Sequence, residues 1–552
     1  MKRKLRPKIL TTMKHYSKEQ FIKDVTAGVI VAIIALPLSI ALAIASGVSP
    51  EQGIHTAIIA GFIISLLGGS RVQIGGPTGA FMVIVFGVVT TYGIEGLILA
   101  TIMAGAMLIL MGLFRLGSII KYMPYPIVTG FTSGIALIIF SSQIKDFFGL
   151  TIETVPVEFL GKWSVYFESF QTLNLATTGI GLLAILIIIF WPKVNKKIPG
   201  ALIALIVTAT IVKFTGLEVA TIGTKFGELS SALPTFSMPE ITLEKLQLLL
   251  APAFSIAMLG AIESLLSAVV ADGMIGGKHN SNMELIAQGV ANMTTGLFGG
   301  IPATGAIART AANVKNGGRT PVAGIVHAIT LLLIMLLFMP LAKMIPLSSL
   351  GAVLIIVAYN MSEWREFRSL LKAPKSDIIV LLATFFLTVL VDLTVAIGMG
   401  IILAAFLFIK RMAEVSHVKL SDMDASEQDD DYDNFNFEEE NSRFQTKAGI
   451  QVYEINGPFF FGAADQFLEA LNAIGAKTKV LIIRMRHVTA IDATALHAFK
   501  RMIKMCERQK IEINITGINE QPLKALIKSG LYDRIGEQHF YETIEEAVSK
   551  IG

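Results

Sequence analysis

Apolar runs of the length a bilayer asks for recur along most of the chain, up to about residue 411. A spanning helix needs about 20 mostly apolar residues. Runs at 25–46, 54–67, 93–114, 127–144, 179–191 and 200–214 precede a polar gap. Runs at 249–271, 285–298, 321–339, 345–359, 378–391 and 393–408 follow it. Two shorter segments, 78–91 and 306–315, come directly after Gly-rich stretches. Together they predict about 14 helical segments in a polytopic membrane domain. After residue 411 the pattern changes. A polar stretch, 412–447, is followed by short apolar runs at 450–455, 480–485 and 511–516 that read as buried strands. Helical patterns around 466–474, 493–509, 522–529 and 543–550 alternate with them, which predicts a small α/β domain. The predicted organisation is a basic segment 1–20, a membrane domain 21–411, a linker 412–447 and an α/β domain 448–552.

Composition agrees. The chain of 552 residues is 53% hydrophobic and 16% charged, with mean hydropathy +0.65. Soluble domains carry about 25% charged residues. Cys506 is the sole cysteine, so a disulfide framework is excluded. The net charge of +4 hides a split: residues 1–411 carry +11 and residues 412–552 carry −7. The first apolar run has a basic leader without a small-residue cleavage site, so it is expected to remain as a span. Positive charge concentrates in alternate turns: Arg71; Arg115 and Lys121; Lys193, Lys196 and Lys197; Lys315 and Arg319; Arg365, Arg368, Lys372 and Lys375; Lys410 and Arg411. The long connections 145–171 and 213–245 are slightly acidic. The positive-inside rule then predicts a multi-pass protein of the cell (inner) membrane with both termini cytoplasmic.

The two short segments begin alike. Leu66-Leu67-Gly68-Gly69 is followed by Gly75-Gly76-Pro77-Thr78-Gly79-Ala80. Leu297-Phe298-Gly299-Gly300 is followed by Ile301-Pro302-Ala303-Thr304-Gly305-Ala306, with Thr-Gly-Ala recurring 226 residues on. Each copy stands third in its own block of segments, at 21–215 and 246–411. An odd number of segments per block makes the repeats inverted, a frequent plan of secondary transporters. Broken segments at matching positions point to a substrate site. The first N–H groups of a helix lack internal partners and carry about half a positive charge. Two such ends facing each other form an anion site from backbone. Pro77, Thr78, Gly79, Ala80, Thr304, Gly305, Ala306 and Ile307 are the candidate substrate-binding residues. Small residues also permit tight helix packing, which accounts for glycines elsewhere in the spans.

Charges inside apolar runs mark function, since one at the bilayer centre costs at least about 2.5–3.5 kcal/mol. Glu263 is the one charge in 249–271, and Arg309 lies about one turn into the second short helix. Arg309 beside two helix ends points to an anionic substrate. Glu263 is expected to be the proton-coupling switch, pairing with Arg309 when ionised and freeing it when protonated. The same two residues also read as an ion pair joining the halves. Ser267 is expected to line the core. Asp24, Asp377 and Asp392 read as interfacial, and Gln143 and Gln288 as amides bonding neighbouring helices.

Several motifs resemble the sulfate permease (SulP) family. They are Ile34-Ala35-Leu36-Pro37, Gly76-Pro77-Thr78-Gly79, Met123-Pro124-Tyr125-Pro126-Ile127-Val128-Thr129-Gly130-Phe131, Ala308-Arg309-Thr310, Gly317-Gly318-Arg319-Thr320 and Thr388-Val389-Leu390-Val391-Asp392-Leu393. The resemblance covers nearly the whole chain. It implies 7+7 inverted repeats in core and gate domains, a cytosolic STAS domain, homodimers and an elevator-like movement. Sodium-dependent bicarbonate transporters of the family carry Asp where Glu263 stands, Thr where Ile307 stands and no Arg at position 309. Only Ser267 keeps the hydroxyl character of their sodium site. The Glu-plus-Arg pattern here resembles proton-coupled sulfate and dicarboxylate carriers. The resemblance therefore implies proton-coupled sulfate symport. Bicarbonate or C4-dicarboxylate transport, and an exchanger or channel on the same fold, are the alternatives.

In the tail, 414–440 carries Asp429-Asp430-Asp431 and Glu438-Glu439-Glu440 and reads as a solvated tether. The α/β domain resembles a STAS domain, with Val488-Thr489-Ala490-Ile491-Asp492-Ala493-Thr494 as its signature turn. Thr494 stands where anti-anti-sigma factors of this fold carry a phosphorylated Ser. Asp492 and Thr494 are therefore candidate regulatory residues, or simple helix caps, and the candidate partner at this domain is a cytosolic protein. No nucleophile–base arrangement, metal cluster or phosphate loop is readable. An enzyme, a cofactor and a nucleic-acid partner are not expected. A membrane-tethered regulator would not need two broken helices or Glu263 and Arg309.

Overall fold

The computed structural model describes residues 5–118, 123–195, 198–391, 393–415, 417–420, 449–472 and 478–550. Asp392, Lys121, Lys196, Lys197 and the acidic clusters at 429–431 and 438–440 lie outside these. The described chain divides into two compact units, Met1–Ile402 and Leu403–Gly552.

The first unit is helical. In its first half run α1 (Lys18–Ala45), α2 (Pro50–Leu67), a two-residue strand β1 (Gly75–Gly76), α3 (Gly79–Leu113), α4 (Tyr125–Ser142), α5 (Leu175–Val194) and α6 (Gly200–Thr215). In its second half run α7 (Leu243–Ile275), α8 (Ser281–Leu297), β2 (Thr304–Gly305), α9 (Ile307–Lys315), α10 (Val322–Ala342), α11 (Leu347–Met361), α12 (Lys375–Leu390) and the start of α13 (Leu393–Val415), whose later residues belong to the second unit. Among the described residues, nine helical stretches are long and apolar enough to cross a membrane. The expected segments 78–91 and 93–114 are both present: the stretch labelled α3 is two helices that meet at a kink at Gly93 (φ 69°, ψ −176°). A left-handed φ is cheap for glycine, so the chain turns there without a loop.

Two helical groups form. In one, α10 packs on α1 and α2, while α7 and α8 pack on α3. The α3–α8 contact is glycine-lined: a Cβ at Gly105 would meet the Gly289 carbonyl oxygen at 2.6 Å. Small residues there let two backbones approach, the packing device of helices in lipid. In the other group, α12 packs on α4, α6 on α5, and α11 on α5 and α4.

Helix starts follow local chemistry. Ser17 accepts from the Gln20 N–H at the head of α1. Ser49, Pro50 and Gln52 form a capping box with proline in the first turn of α2. Asp24, expected at an interface, is wholly buried. Its carboxylate accepts from the Thr320 hydroxyl at 2.6 Å, the Arg319 N–H at 2.9 Å and the Tyr16 hydroxyl at 3.0 Å. It thus fastens the 317–320 turn to α1. Burial, then the Asp24 charge, pushes the Tyr16 hydroxyl up to about 12. Asp377 sits partly buried in the first turn of α12.

The second unit holds a five-stranded sheet of order β3-β4-β5-β6-β7. Its strands are β3 (His417–Leu420), β4 (Ile450–Asn456), β5 (Val480–His487), β6 (Glu512–Thr516) and β7 (Phe540–Tyr541). β3 runs antiparallel to β4, and the remaining pairs are parallel. Helices α14 (Phe461–Asn472), α15 (Ala493–Gln509), α16 (Glu520–Lys528) and α17 (Ile544–Lys550) complete it. Residues 417–420, expected in the linker, are an edge strand instead. At four residues the segment is too short for periodicity to announce it.

Candidate functional site

The two breaks meet. Gly75 pairs with Gly305 and Gly76 with Thr304 in an antiparallel register, so β1 and β2 form a two-stranded sheet between the halves. Each break is held by the corresponding helix of the other half. From α2, Gln52 donates to the Gly299 carbonyl at 2.8 Å, and Thr56 accepts from the Ile301 N–H at 2.8 Å. From α8, the buried Glu284 carboxylate accepts from the Gly69 and Ser70 N–H groups at 2.8 and 2.9 Å. Those bonds satisfy backbone groups that would otherwise be orphaned in an apolar interior.

The strands deliver two helix starts. Thr78 is extended (φ −127°) and precedes α3; Ala306 is extended (φ −88°) and precedes α9. Neither makes a side-chain cap hydrogen bond. Thr78 is a residue type that caps well, yet its hydroxyl donates instead to Glu263 Oε2 at 2.9 Å. Among the described residues, the first-turn N–H groups of both helices have no N-cap side-chain acceptor.

Arg309 is 3% exposed. Its guanidinium reaches across to the first half, donating to the Pro77 carbonyl and, at 3.5 Å, to the Gly75 carbonyl. Gly76 has φ 147°, and a Cβ there would collide with Arg309 Nη1. The expected Glu263–Arg309 ion pair is not formed: the carboxylate is held by Thr78 and the guanidinium by backbone carbonyls. Separate partners for the two charges leave both in one site, each within the other's field but not in direct contact.

The other expected residues divide. Pro77, Gly79 and Ala80 are buried at the head of α3, and Ile307 is 42% exposed at the head of α9. Thr304 donates to the Gly260 carbonyl of α7 at 3.0 Å, and Gly305 and Ala306 carry the backbone from β2 into α9. Ser267 donates to the Thr310 hydroxyl at 3.3 Å, and that hydroxyl accepts from the Ile74 N–H at 3.1 Å. Gln143 and Gln288 do not bond neighbouring helices through their amides; Gln143 donates to Ser142 and Gln288 to Glu284 on its own helix.

Residue-by-residue reading missed Gln73, Thr310, Asn313 and Glu284, all buried here. Gln73 donates to the Ser264 carbonyl at 2.9 Å and Asn313 to the Val72 carbonyl at 2.8 Å. A usable signal existed for Glu284. It lies four residues before Gln288 and eight before Asn292, one polar stripe on an apolar helix.

In the second unit, Asp492 Oδ1 accepts from the Ala495 N–H at 2.8 Å and caps α15. Thr494 is exposed in that first turn. The turn before it is pinned by Asn519, which donates to the Val488 carbonyl at 2.8 Å, and by Gln521, which accepts from the Ile491 N–H at 2.9 Å.

Comparisons with known proteins agree with this architecture. Residues 21–384 match the sulfate permease family and residues 441–547 match the STAS domain. The chain is 42% identical to YvdB of Bacillus subtilis, over 97% of this chain and 98% of that one. It is 30% identical to the bicarbonate transporter BicA of a Picosynechococcus species, over 95% of this chain and 94% of that one. The structure of murine Solute Carrier 26 family member A9, solved inward-facing, superposes with a TM-score of 0.86 at 18% identity, covering 99% of this chain and 93% of that one. The last likeness is one of fold. Helices, paired breaks, profile match and relatives converge: the chain is a multi-pass membrane protein of the sulfate permease family of anion transporters, carrying a STAS domain.

Proposed function

We propose that the protein carries sulfate across the membrane together with protons, with the anion held between the heads of α3 and α9. The observation that carries this reading is the Thr78–Glu263 hydrogen bond beside Arg309. It sets a titratable carboxylate at an uncapped helix start where an anion would bind. Ionised Glu263 repels a dianion and takes the Thr78 hydroxyl. Protonation removes the repulsion and strengthens anion binding; by linkage, a bound anion strengthens proton binding equally. Arg309 supplies a permanent counter-charge, and the first-turn N–H groups of both helices supply hydrogen bonds.

Energetics favour coupling. Moving one charge against 100 mV costs about 2.3 kcal/mol, so a dianion costs about 4.6 kcal/mol. Cotransported cations offset that cost. For bicarbonate, one symported proton amounts to moving carbonic acid, which gains little over diffusing carbon dioxide. Names of relatives pull both ways: YvdB is provisionally named as a sulfate transporter and BicA as a bicarbonate transporter. Glu263, Ile307 and Arg309 together favour sulfate.

The candidate substrate-binding and proton-coupling residues lie on β2, α3, α7 and α9 or in the residues that lead into those helices, within one of the two helical groups. This supports alternating access by movement of that group against the other as a body, the elevator-like movement. The distribution of Lys and Arg supports cytoplasmic termini. The test is labelled sulfate uptake into proteoliposomes under an inward proton gradient, beside a counterflow panel of sulfate, bicarbonate, succinate, fumarate and chloride. Gradient-driven sulfate uptake that is lost in Glu263→Gln, with sulfate counterflow retained, is the expected result. Uptake indifferent to the gradient, or bicarbonate outcompeting sulfate, would overturn the reading.

A further inference from the structure

A cavity of about 790 Å³ opens in the first unit, along the α3 face from Met82 to Tyr92. Its inner end begins three residues from Gly79, the head of α3. Among the described residues its charged lining consists of Lys145, Lys162, Lys225, Asp146 and Glu158. Two of the lysines are already engaged. Lys145 Nζ donates to the Ile152 carbonyl at 2.5 Å, and Lys225 lies 3.9 Å from the Asp146 carboxylate.

Lys162 differs. It sits on the helix Phe159–Glu168, within the 145–171 connection, and is 6% exposed. Its ammonium lies 5.8 Å from the centre of the Phe86 ring. Among the described residues no acceptor oxygen hydrogen-bonds it and no carboxylate pairs with it. Burial holds its pKa below the ordinary lysine range, with Glu158 opposing. An ammonium has three donors, and a ring face answers the charge without accepting them in line. Such a group, buried and turned into a cavity, keeps donors free for an anion even with Glu158 nearby.

We propose that this cavity is a second anion site, in which the Lys162 ammonium over Phe86 receives a small oxyanion before it reaches the helix heads. Phe86 lies seven residues beyond Gly79, about 10 Å along α3 at the helical rise. The two sites are thus near enough for an anion to pass between them along one helix face. A cationic site in a low-dielectric cavity concentrates anions and raises their rate of arrival. The inference rests on the anion-transport reading but not on proton coupling at Glu263.

Gly87 offers a probe, because it lines the cavity and a Cβ there meets nothing within 4 Å. The native Cys506 is buried, so Gly87→Cys supplies the reactive thiol. Purified protein is labelled with a sulfonate-bearing and a trimethylammonium-bearing methanethiosulfonate, with and without sulfate. The anionic reagent is expected to react faster, and sulfate to slow it. Adding Lys162→Gln should reduce the anionic preference about tenfold, the effect of one charge in a partly dry cavity, and abolish protection; Lys162→Arg should keep both. In transport, Lys162→Gln should raise the KM for sulfate at unchanged maximal rate. Equal reaction of the two reagents in Gly87→Cys alone, or sulfate protection undiminished by Lys162→Gln, overturns the proposal. Labelling needs no transport, so failure of symport at Glu263 would leave this result standing.

Discussion

The two breaks share a backbone plan and differ in chemistry. Both place an extended residue before an uncapped helix, and both contribute two residues to one antiparallel pair. The first half offers mainly backbone: carbonyls of Gly75 and Pro77, the head of α3 and the Thr78 hydroxyl. The second half sends charged side chains into it, Arg309 from α9 and Glu263 from α7. On the proposed reading, symmetry builds a receptor for negative charge, and departure from symmetry tunes it. A third helix start, α15 in the STAS domain, marks the contrast. There the Asp492 carboxylate takes one first-turn N–H, that of Ala495.

Removing the asymmetry should have the largest effect. Arg309→Ala deletes the buried counter-charge and leaves the Gly75 and Pro77 carbonyls unpaired. A loss of about 3 kcal/mol or more, over about a hundredfold in sulfate transport, is expected. Arg309→Lys keeps the charge but not the planar fork and should recover only part. Uptake kinetics in proteoliposomes measure both. Wild-type rates in Arg309→Ala would mean that the helix ends alone suffice.

Next comes the backbone that receives Arg309. Gly76→Ala must hold a left-handed φ and displace the guanidinium, at about 1–3 kcal/mol. Thermal unfolding and sulfate binding should both weaken. A smaller effect tests whether open helix ends matter. Ala306→Ser gives α9 a cap that competes for its first-turn N–H groups, so sulfate affinity should fall by about threefold, within the range a cap contributes. In the capped counterpart, Asp492→Ala should cost the STAS domain about 1 kcal/mol, seen as faster amide exchange in the first turn of α15. Thr494→Ala, exposed and outside the cap, should stay within about 0.5 kcal/mol.

What was legible in the sequence was what repeats or what is rare. Thr-Gly-Ala recurring 226 residues apart announced the paired breaks, and a lone charge in an apolar run announced Glu263 and Arg309. Partners were harder to read. Glu263 and Arg309 looked like a pair because opposite charges in lipid attract. The structure gives each a different partner, because carbonyls freed by the break at Pro77 and Gly75 lie closer to hand. Asp24 reads as interfacial from its place near the start of a run, but its partners some 295 positions away were not legible. Strand β3 is too short to carry a pattern, whereas the division of α3 at Gly93 was legible as two separate segments.

The central claim is that a proton at Glu263 and an anion at the heads of α3 and α9 strengthen each other. Calorimetric titration of sulfate into purified protein, at two pH values and in buffers of different ionisation enthalpy, reads that linkage directly. Wild type should bind sulfate more tightly at the lower pH and take up protons as it binds, while Glu263→Gln should bind without pH dependence and without proton uptake. Proton uptake that persists undiminished in Glu263→Gln, or wild-type binding indifferent to pH, would contradict the account.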